Sequence, residues 1–247
     1  MITGFDGPGA IALSKDHAYV TNYGAPGGVQ SGNGNTVSVV DLKTRKIIDT
    51  ITVDLAPSAL VLCPCFCFLY VINYVDGNPG TGTLNIINTK TNKIVKTIRG
   101  FSGPFGIALT KDAEYAYVTN FGSNNFAPYG TSVSVVSLKT DRIIKNIEVG
   151  IQPAGIAISD KFAYVSNYNA LYARANFQNL TYGEGTVSII CLETMKVILP
   201  TISVGQTPAT ITLSPDENKL YVCKYVQNTV ASIALTSSGC SRNSSRC

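Results

Sequence analysis

The sequence predicts an all-β fold, a five-bladed β-propeller of four-stranded antiparallel blades. Valine, isoleucine, threonine and tyrosine are interspersed with 22 glycines and 11 prolines, a mixture typical of many short strands and turns. A four-strand pattern recurs along the chain with a spacing close to the roughly 40–50 residues typical of propellers. Only 14% of the residues are charged and 45% are hydrophobic, which argues against a disordered chain.

The second strand of each repeat defines the period most clearly. It reads Tyr-Val-Thr-Asn or a close variant, and it begins at Tyr19, Tyr70, Tyr117, Tyr164 and Tyr221. These tyrosines are 51, 47, 47 and 57 residues apart, which leaves room for four strands and their loops. A short apolar strand precedes each one, with small residues such as Ala12 and Ala108 between larger ones. Small residues suit the crowded strands around a propeller axis.

The third and fourth strands complete the predicted blades. The third strand, Thr-Val-Ser-Val or similar, alternates apolar and polar residues, which predicts one packed face. A fourth strand led by Lys or Arg follows in four repeats. We therefore predict one domain over residues 1–237 and a flexible Ser/Cys/Arg tail at 238–247. The predicted blades are 7–53, 56–100, 103–149, 152–204, and 207–237 together with 1–5.

Closure of the ring is predicted from the first residues of the chain. The fifth repeat lacks a fourth strand, and the segment 2–8 matches segment 98–104, where a fourth strand leads into the next blade. Residues 1–5 are therefore expected to form the outer strand of the last blade and to close a monomeric ring. Closure removes the sheet edges that invite aggregation. The alternatives are an open fragment of a longer array and a ring closed by another chain.

The strand sequences resemble the YVTN β-propeller repeat family. The resemblance rests on a Tyr-Val-Thr-Asn strand, a Thr-Val-Ser-Val strand and an Ile-Asp/Lys-x-Ile strand, and it covers essentially residues 1–237. Members occur in surface-layer and secreted proteins, and similar repeats appear beside redox and lyase propellers. The resemblance implies an extracellular or surface location, although no signal peptide is visible in the chain as given. It implies no single chemistry, since a fold does not fix a function.

Binding residues are expected on the face where the loops between second and third strands meet, here called the upper face. Four of these loops are rich in Gly, Asn, Pro and Tyr, and long loops on rigid scaffolds commonly carry binding residues. The candidates are Asn22, Tyr23, Asn73, Tyr74, Asn120, Phe121, Asn167, Tyr168, Tyr172 and Arg174. Aromatic and amide side chains suit protein or glycan surfaces. Alternatively, the asparagines serve backbone groups at the strand ends.

The fifth repeat departs from this pattern at Lys224 and Tyr225. The binding surface is therefore expected over blades one to four.

A catalytic constellation is not evident in the sequence. The only histidine, His17, falls in a turn on the opposite face, and an aspartate in that turn recurs in four repeats as a turn former. We expect a non-enzymatic binding or structural module that presents its upper loops to a protein or glycan, or within a surface assembly. The alternative is a lyase- or hydrolase-type enzyme that works in the central mouth through the sparse upper acids, such as Asp76 and Glu184.

The seven cysteines are an odd number, which leaves at least one thiol unpaired within a monomer, and no cofactor is expected. Cys63, Cys65 and Cys67 replace a turn of the repeat, and a drifted turn or a local disulfide is the first interpretation. Thiolates at this spacing are distant candidates for zinc or copper(I), but a fourth ligand is not evident. Cys191 and Cys223 fall in strands and are expected to be small buried hydrophobic residues.

Composition also narrows the classes of partner. The formal net charge is +4 without a basic run, which argues against nucleic-acid binding. No apolar stretch approaches the length of a membrane-spanning helix. The expected state is a monomer or a member of a surface assembly.

Overall fold

The computed structural model of the chain describes residues 1–24, 34–123, 129–172 and 180–235. In these ranges every regular element is a β-strand. None of the described residues forms a helix with the length and apolar character needed to cross a membrane. The described strands form five antiparallel sheets of three or four strands, numbered here in chain order, and one two-stranded ribbon. The chain thus has an all-β, propeller-like architecture.

The first three sheets have four strands each, in chain order across the sheet. Sheet one contains β1 (Pro8–Leu13), β2 (His17–Asn22), β3 (Thr36–Asp41) and β4 (Lys46–Thr52). Sheet two contains β5 (Pro57–Leu62), β6 (Phe68–Asn73), β7 (Gly82–Asn88) and β8 (Lys93–Phe101). Sheet three contains β9 (Pro104–Leu109), β10 (Tyr115–Gly122), β11 (Tyr129–Ser137) and β12 (Arg142–Glu148).

The remaining strands form two sheets and the ribbon. Sheet four contains β13 (Pro153–Ile158), β14 (Phe162–Asn167), β17 (Glu184–Cys191) and β18 (Lys196–Gln206), and the ribbon of β15 (Ala170–Tyr172) and β16 (Leu180–Tyr182) rises between β14 and β17. Sheet five contains β19 (Pro208–Leu213), β20 (Lys219–Lys224) and β21 (Thr229–Ala234). All the strands predicted from the repeat lie within these bounds.

One loop shape leads into every sheet. The residue before the first proline has a left-handed backbone, with φ between 51° and 57°, at Gly7, Ala56, Gly103, Gln152 and Thr207. Its carbonyl accepts the backbone N–H of the aromatic residue at the upper end of the second strand or directly after it, at 2.9–3.0 Å. Because this contact recurs in all five sheets, each sheet places an aromatic residue at the same level of the upper face.

The hydrophobic core lies between sheets. Each sheet has a forward face, which carries the tyrosine of its second strand and packs on the following sheet, and a backward face, which packs on the preceding one. Between sheets two and three, for example, Tyr70 and Leu84 of the forward face pack with Ile107 and Val118 of the backward face. Similar clusters fill the other three joints. Side-chain hydroxyls also cross the joints, as from Ser58 to the Pro104 carbonyl at 2.8 Å.

Closure of the ring is not shown. The first strands pack in the order β1, β5, β9, β13 and β19, and β1 and β19 are not among the described strand pairs that pack closely. Ile11 on the backward face of sheet one is 63% exposed, and Val230 on the forward face of sheet five is 60% exposed. The described sheets therefore form a row with two open faces.

Residues 1–5 do not form the outer strand of sheet five, which has three strands. Ile2 and Phe5 instead pack beside Ala18, Val20 and Val40 on the backward face of sheet one. The carbonyls of Asp6 and Gly7 accept the backbone N–H groups of Gly24 and Tyr23, which directly follow β2, so the segment stays with sheet one. The predicted closure is therefore not reproduced among the described residues.

Candidate binding surface on the upper face

The four predicted asparagines lie at or near the upper ends of the second strands of sheets one to four, and all are buried. Asn22, Asn73, Asn120 and Asn167 are between 0 and 4% exposed. Each side-chain amide donates two hydrogen bonds to polar side chains of the third strand, as Asn120 does to Ser132 at 3.0 Å and Ser134 at 2.9 Å. These amides tie the second strand to the third, so their donors are already occupied within the sheet.

The asparagine carbonyls divide into two pairs. The Asn22 oxygen accepts the backbone N–H of Asp6 at 3.3 Å, and the Asn120 oxygen accepts that of Ser102 at 3.2 Å. The oxygens of Asn73 and Asn167 are buried without a hydrogen-bond partner among the described atoms. The same side chain therefore anchors the lead-in loop in sheets one and three but not in sheets two and four.

The aromatic residues after the asparagines have different environments. Tyr74 is buried, and its hydroxyl donates to the Gly122 carbonyl of the next sheet at 2.7 Å, which makes it a link between sheets. Tyr23 is half-buried, and burial raises the pKa of its hydroxyl. Phe121 and Tyr168 instead face each other across the joint between sheets three and four, with ring centroids 6.0 Å apart.

A cavity of about 240 Å³ opens beside these two rings. It is called the aromatic pocket here and is lined by Phe105, Phe121, Gln152, Ala154, Tyr168, Ala209 and Tyr225. The Phe105 ring lies 5.2 Å from that of Phe121, and Tyr225 is 72% exposed. Three rings in a row and a fourth exposed ring thus surround an apolar cavity over sheets three to five, one sheet beyond the expected surface.

Sequence reasoning missed Phe105, Gln152 and Tyr225. Phe105 stands at the second position of the first strand, where the other repeats have the small residues Gly9, Ser58, Ala154 and Ala209. An alignment of the five repeats shows this large aromatic residue at a position where the other repeats have small residues, so the sequence does contain a signal for Phe105. Gln152 is harder to find from the sequence. In the structure its side-chain oxygen accepts the Ala170 backbone N–H at 2.8 Å, at the start of the ribbon.

Among the described residues, those that line the pocket carry no carboxylate, amine or imidazole. The acids of the alternative enzyme hypothesis instead shape loops. Asp76 accepts hydrogen bonds from Thr81 and Asn78, and the Thr81 bond above all lowers the pKa of its carboxyl group. Glu184 accepts the hydroxyl of Ser203 and the backbone N–H of Gly205. What the pocket can do chemically is remove an apolar group from water.

Two predicted binding residues cannot be placed on this surface. Arg174 lies outside the described residues. Tyr172 closes the described part of β15, and its side chain is likewise outside the description. The role predicted for both residues stays a prediction.

The cysteine cluster lies in the turn between β5 and β6, at the lower end of sheet two. Cys63 and Cys65 are joined by a disulfide, as the first interpretation of this segment expected, and Cys67 is a free, exposed thiol. The disulfide takes up two of the three candidate zinc-binding thiols and leaves only Cys67 of the cluster, and no group of three metal-ligating side chains occurs among the described residues. Cys191 is buried but is disulfide-bonded rather than a simple buried thiol, and Cys223, which was also expected to be buried, is exposed and free.

Comparison with known proteins supports the fold alone. No family model matches the chain, and no curated protein matches it, so the resemblance to the YVTN family stays a prediction. Among solved structures, hydrazine synthase of Kuenenia stuttgartiensis is similar, with a TM-score of 0.55 and 16% sequence identity, over 95% of this chain and 97% of that one. At this identity the likeness concerns the architecture and carries no activity across.

Proposed function

We propose that this chain is a non-enzymatic binding module whose aromatic pocket takes an apolar or aromatic side chain of a protein partner. The observation that supports it is the row of Phe105, Phe121 and Tyr168 rings beside an open, uncharged cavity. Pockets that accept one aromatic or aliphatic anchor account for most of the affinity in many protein interfaces. A volume of about 240 Å³ suits one such side chain.

The chemistry of the lining favours a protein partner over a glycan. A sugar presents hydroxyls on every edge, and each one that loses water needs a donor or acceptor in return. The lining offers few of these, since the Gln152 oxygen is already occupied by Ala170 and most of the wall is ring or methyl surface. An apolar side chain needs no such partners and gains from leaving water.

The location of the pocket fits the same proposal. We take the five sheets as the blades of a propeller, with the pocket at its upper mouth and the Tyr-Val-Thr-Asn repeat as the rigid support. Tyr225 then forms the exposed wall that an approaching partner meets first. The surface location implied by the family resemblance is part of this proposal.

A fluorescent probe tests the pocket directly. The chain has no tryptophan, so the emission of N-acetyl-tryptophanamide reports only on bound probe. Wild-type protein is expected to bind the probe, and Phe105→Ala or Tyr225→Ala is expected to weaken binding by about tenfold, the usual size of an anchor contact. Tyr23→Ala is the matched control, because Tyr23 occupies the same position in sheet one, outside the pocket.

Selection from a random peptide library then tests the partner class. Enriched peptides are expected to share an aromatic or large aliphatic residue and to lose binding to Phe105→Ala but not to Tyr23→Ala. Methyl glucoside serves as the competing class in the same titration. Probe binding that is unaffected by Phe105→Ala, or tighter binding of the glucoside than of the probe, would contradict the proposal.

A further inference from the structure

Residues 4–8 have the backbone of a loop that enters a sheet from an outer strand. Gly4 has a φ of +100° and its counterpart Gly100 one of +106°, whereas Gly7 and Gly103 have 57° and 53°. In sheets one and three alike, the residue before the second of these glycines, Asp6 or Ser102, donates its N–H to the asparagine carbonyl. Residues 4–8 of sheet one therefore repeat the connection between sheets two and three.

In the complete connection, the residues before this loop are an outer strand. Phe101, the counterpart of Phe5, ends β8, pairs with Gly82 of β7 and is fully buried. Residues 1–5 consequently lead toward the position of an outer strand on a sheet behind sheet one. Among the described residues no sheet packs there. Ile11 and Leu13 are exposed, and they line an apolar groove of about 440 Å³ together with Ile2, Phe5 and Leu42.

Sheet five offers the complementary surface. Val230 occupies the position at which Val37, Leu84, Val133 and Val187 are all inaccessible to solvent, each of them covered by the next sheet. Its neighbours on this forward face include Tyr221 and Cys223, and the Cys223 thiol is exposed and free. The sheet also ends at β21 without a fourth strand, so one edge of β21 has no described partner.

We propose that two copies of this chain join head to tail. The backward face of sheet one in one copy packs on the forward face of sheet five in the other, and residues 1–5 of the first copy pair with β21 of the second as its fourth strand. Such a joint repeats the interface that the chain already makes four times between its own sheets. It also covers an exposed strand edge, as pairing with an added strand does in many complexes.

A second copy fits the arrangement better than closure within one chain. The sheets at the two ends of the row are not packed closely on each other, so closure within the chain would require sheets to move relative to one another. Docking of a second copy leaves the sheets where they are, in keeping with the small backbone changes of most preformed interfaces. Because the two faces differ, the contact is heterologous, and copies can continue into rows or a larger ring.

Two lysine substitutions test the two faces separately. Ile11→Lys places a charge on the backward face of sheet one, and Val230→Lys places one on the forward face of sheet five. Because both residues are exposed, each variant alone is expected to fold and to stay monomeric. Wild-type protein is expected to at least double its mass with concentration in analytical ultracentrifugation. An equimolar mixture of the two variants is expected to form a dimer and stop there, because only one intact joint remains.

Val95→Lys provides the matched control, since Val95 is similarly exposed on the outer strand of sheet two and lies on neither end face. This variant is expected to assemble as the wild type does. Circular dichroism of all three variants shows that the fold is retained. A mixture of Ile11→Lys and Val230→Lys that stays monomeric would overturn the head-to-tail joint.

Cys223 gives a second readout that needs no substitution. Its alkylation by iodoacetamide is expected to slow with rising protein concentration, whereas Cys67, free and exposed on the lower turn of sheet two, stays equally reactive. Peptide mass spectrometry distinguishes the two thiols. A monomer in which Cys223 is protected at every concentration would indicate closure within one chain, and a monomer in which it is always reactive would indicate uncovered ends. Either result would refute the proposal.

Discussion

One position of the repeat differs in solvent exposure between the middle of the array and its end. Val37, Leu84, Val133 and Val187 are 0% exposed, whereas Val230 is 60% exposed. All five are apolar and lie on the third strand of their sheets, with the same register to the second strand. The difference teaches that a sheet of this fold does not bury its own forward face. Burial is completed by the neighbouring sheet.

Because each sheet depends on its neighbour for burial, the joints between sheets determine most of the stability. Full burial of a valine or leucine side chain is worth about 1.5–3 kcal/mol, and each interior joint buries several of them. The end faces gain little of this, although Ile2 and Phe5 shield part of the backward face of sheet one. The interior joints are therefore expected to dominate the free energy of unfolding.

The largest expected contrast is between Leu84→Ala and Val230→Ala. Leu84→Ala opens a cavity in the filled joint between sheets two and three and is expected to lower the free energy of unfolding by about 2–5 kcal/mol. Val230→Ala removes an exposed side chain and is expected to change it by less than about 0.5 kcal/mol. Urea unfolding followed by circular dichroism measures both, at a protein concentration low enough to keep the chain monomeric.

A large loss of unfolding free energy in both variants would contradict the comparison, because it would mean that the forward face of sheet five is covered within the monomer. A small loss in both variants would mean that the joints between sheets are loosely packed. Leu60→Ala on the backward face of sheet two extends the test, since Leu60 is buried against sheet one whereas its counterpart Ile11 is exposed.

A smaller difference in stability is expected at the position of the repeat that Asn120 occupies in sheet three and Lys224 in sheet five. Asn120→Ala leaves Ser132, Ser134 and the Ser102 N–H without their partner and is expected to cost about 1–3 kcal/mol. Lys224, its counterpart in sheet five, makes no such set of contacts in the described structure, so Lys224→Ala is expected to be close to neutral. Thermal unfolding monitored by circular dichroism compares the two variants.

This pair also separates the two interpretations of the asparagines. A structural asparagine lowers stability when it is replaced and leaves capture of the tryptophanamide probe intact in the folded protein. If Asn120→Ala were as stable as the wild type but lost the probe, the asparagine would belong to the binding surface instead.

The strands could be predicted from the sequence because their signals are local and repeated. Alternation around Tyr117 and Val135 shows which side chains share a face, and five copies of one pattern fix the register without any knowledge of the neighbours. The turn at Cys63 was predictable for the same reason, since the repeat shows that three cysteines stand in place of a turn, and a disulfide across it needs no distant partner.

The pocket and the open ends could not be predicted in the same way. Phe121 and Phe105 come from strands of one sheet, but Tyr168 and Tyr225 reach them only through the packing of sheets three to five, which the repeat pattern does not specify. Closure of the ring stays a prediction, because the structure does not show it. The match between segments 2–8 and 98–104 correctly identifies a lead-in loop, yet it does not say which sheet that loop comes from.

The smallest expected effect lies in the lower turns, where the middle and the end of the array should agree. Asp112 of sheet three accepts hydrogen bonds from the Thr110 hydroxyl at 2.5 Å and the Glu114 N–H at 2.9 Å, and Asp216 of sheet five accepts the corresponding bonds from Ser214 and Asn218. The hydroxyl bond, above all, lowers the pKa of each carboxyl group below its ordinary value of 3.8. These contacts stay within the turn and do not involve a neighbouring sheet.

A carboxyl group whose pKa is lower in the folded state stabilises the fold above its unfolded pKa, and this contribution is lost as the pH falls through the folded value. Asp112→Asn and Asp216→Asn are therefore expected to lower stability slightly at neutral pH, and this difference from wild type is expected to disappear as the pH falls through the folded pKa, which lies below 3.8. Urea unfolding across this pH range measures the change. Matching pH profiles of stability for the two variants would show that the lower turns are independent of neighbouring sheets, so that the ends of the array differ from its middle in packing alone. A pH dependence at Asp112 without one at Asp216 would show that the lower turns also need the next sheet.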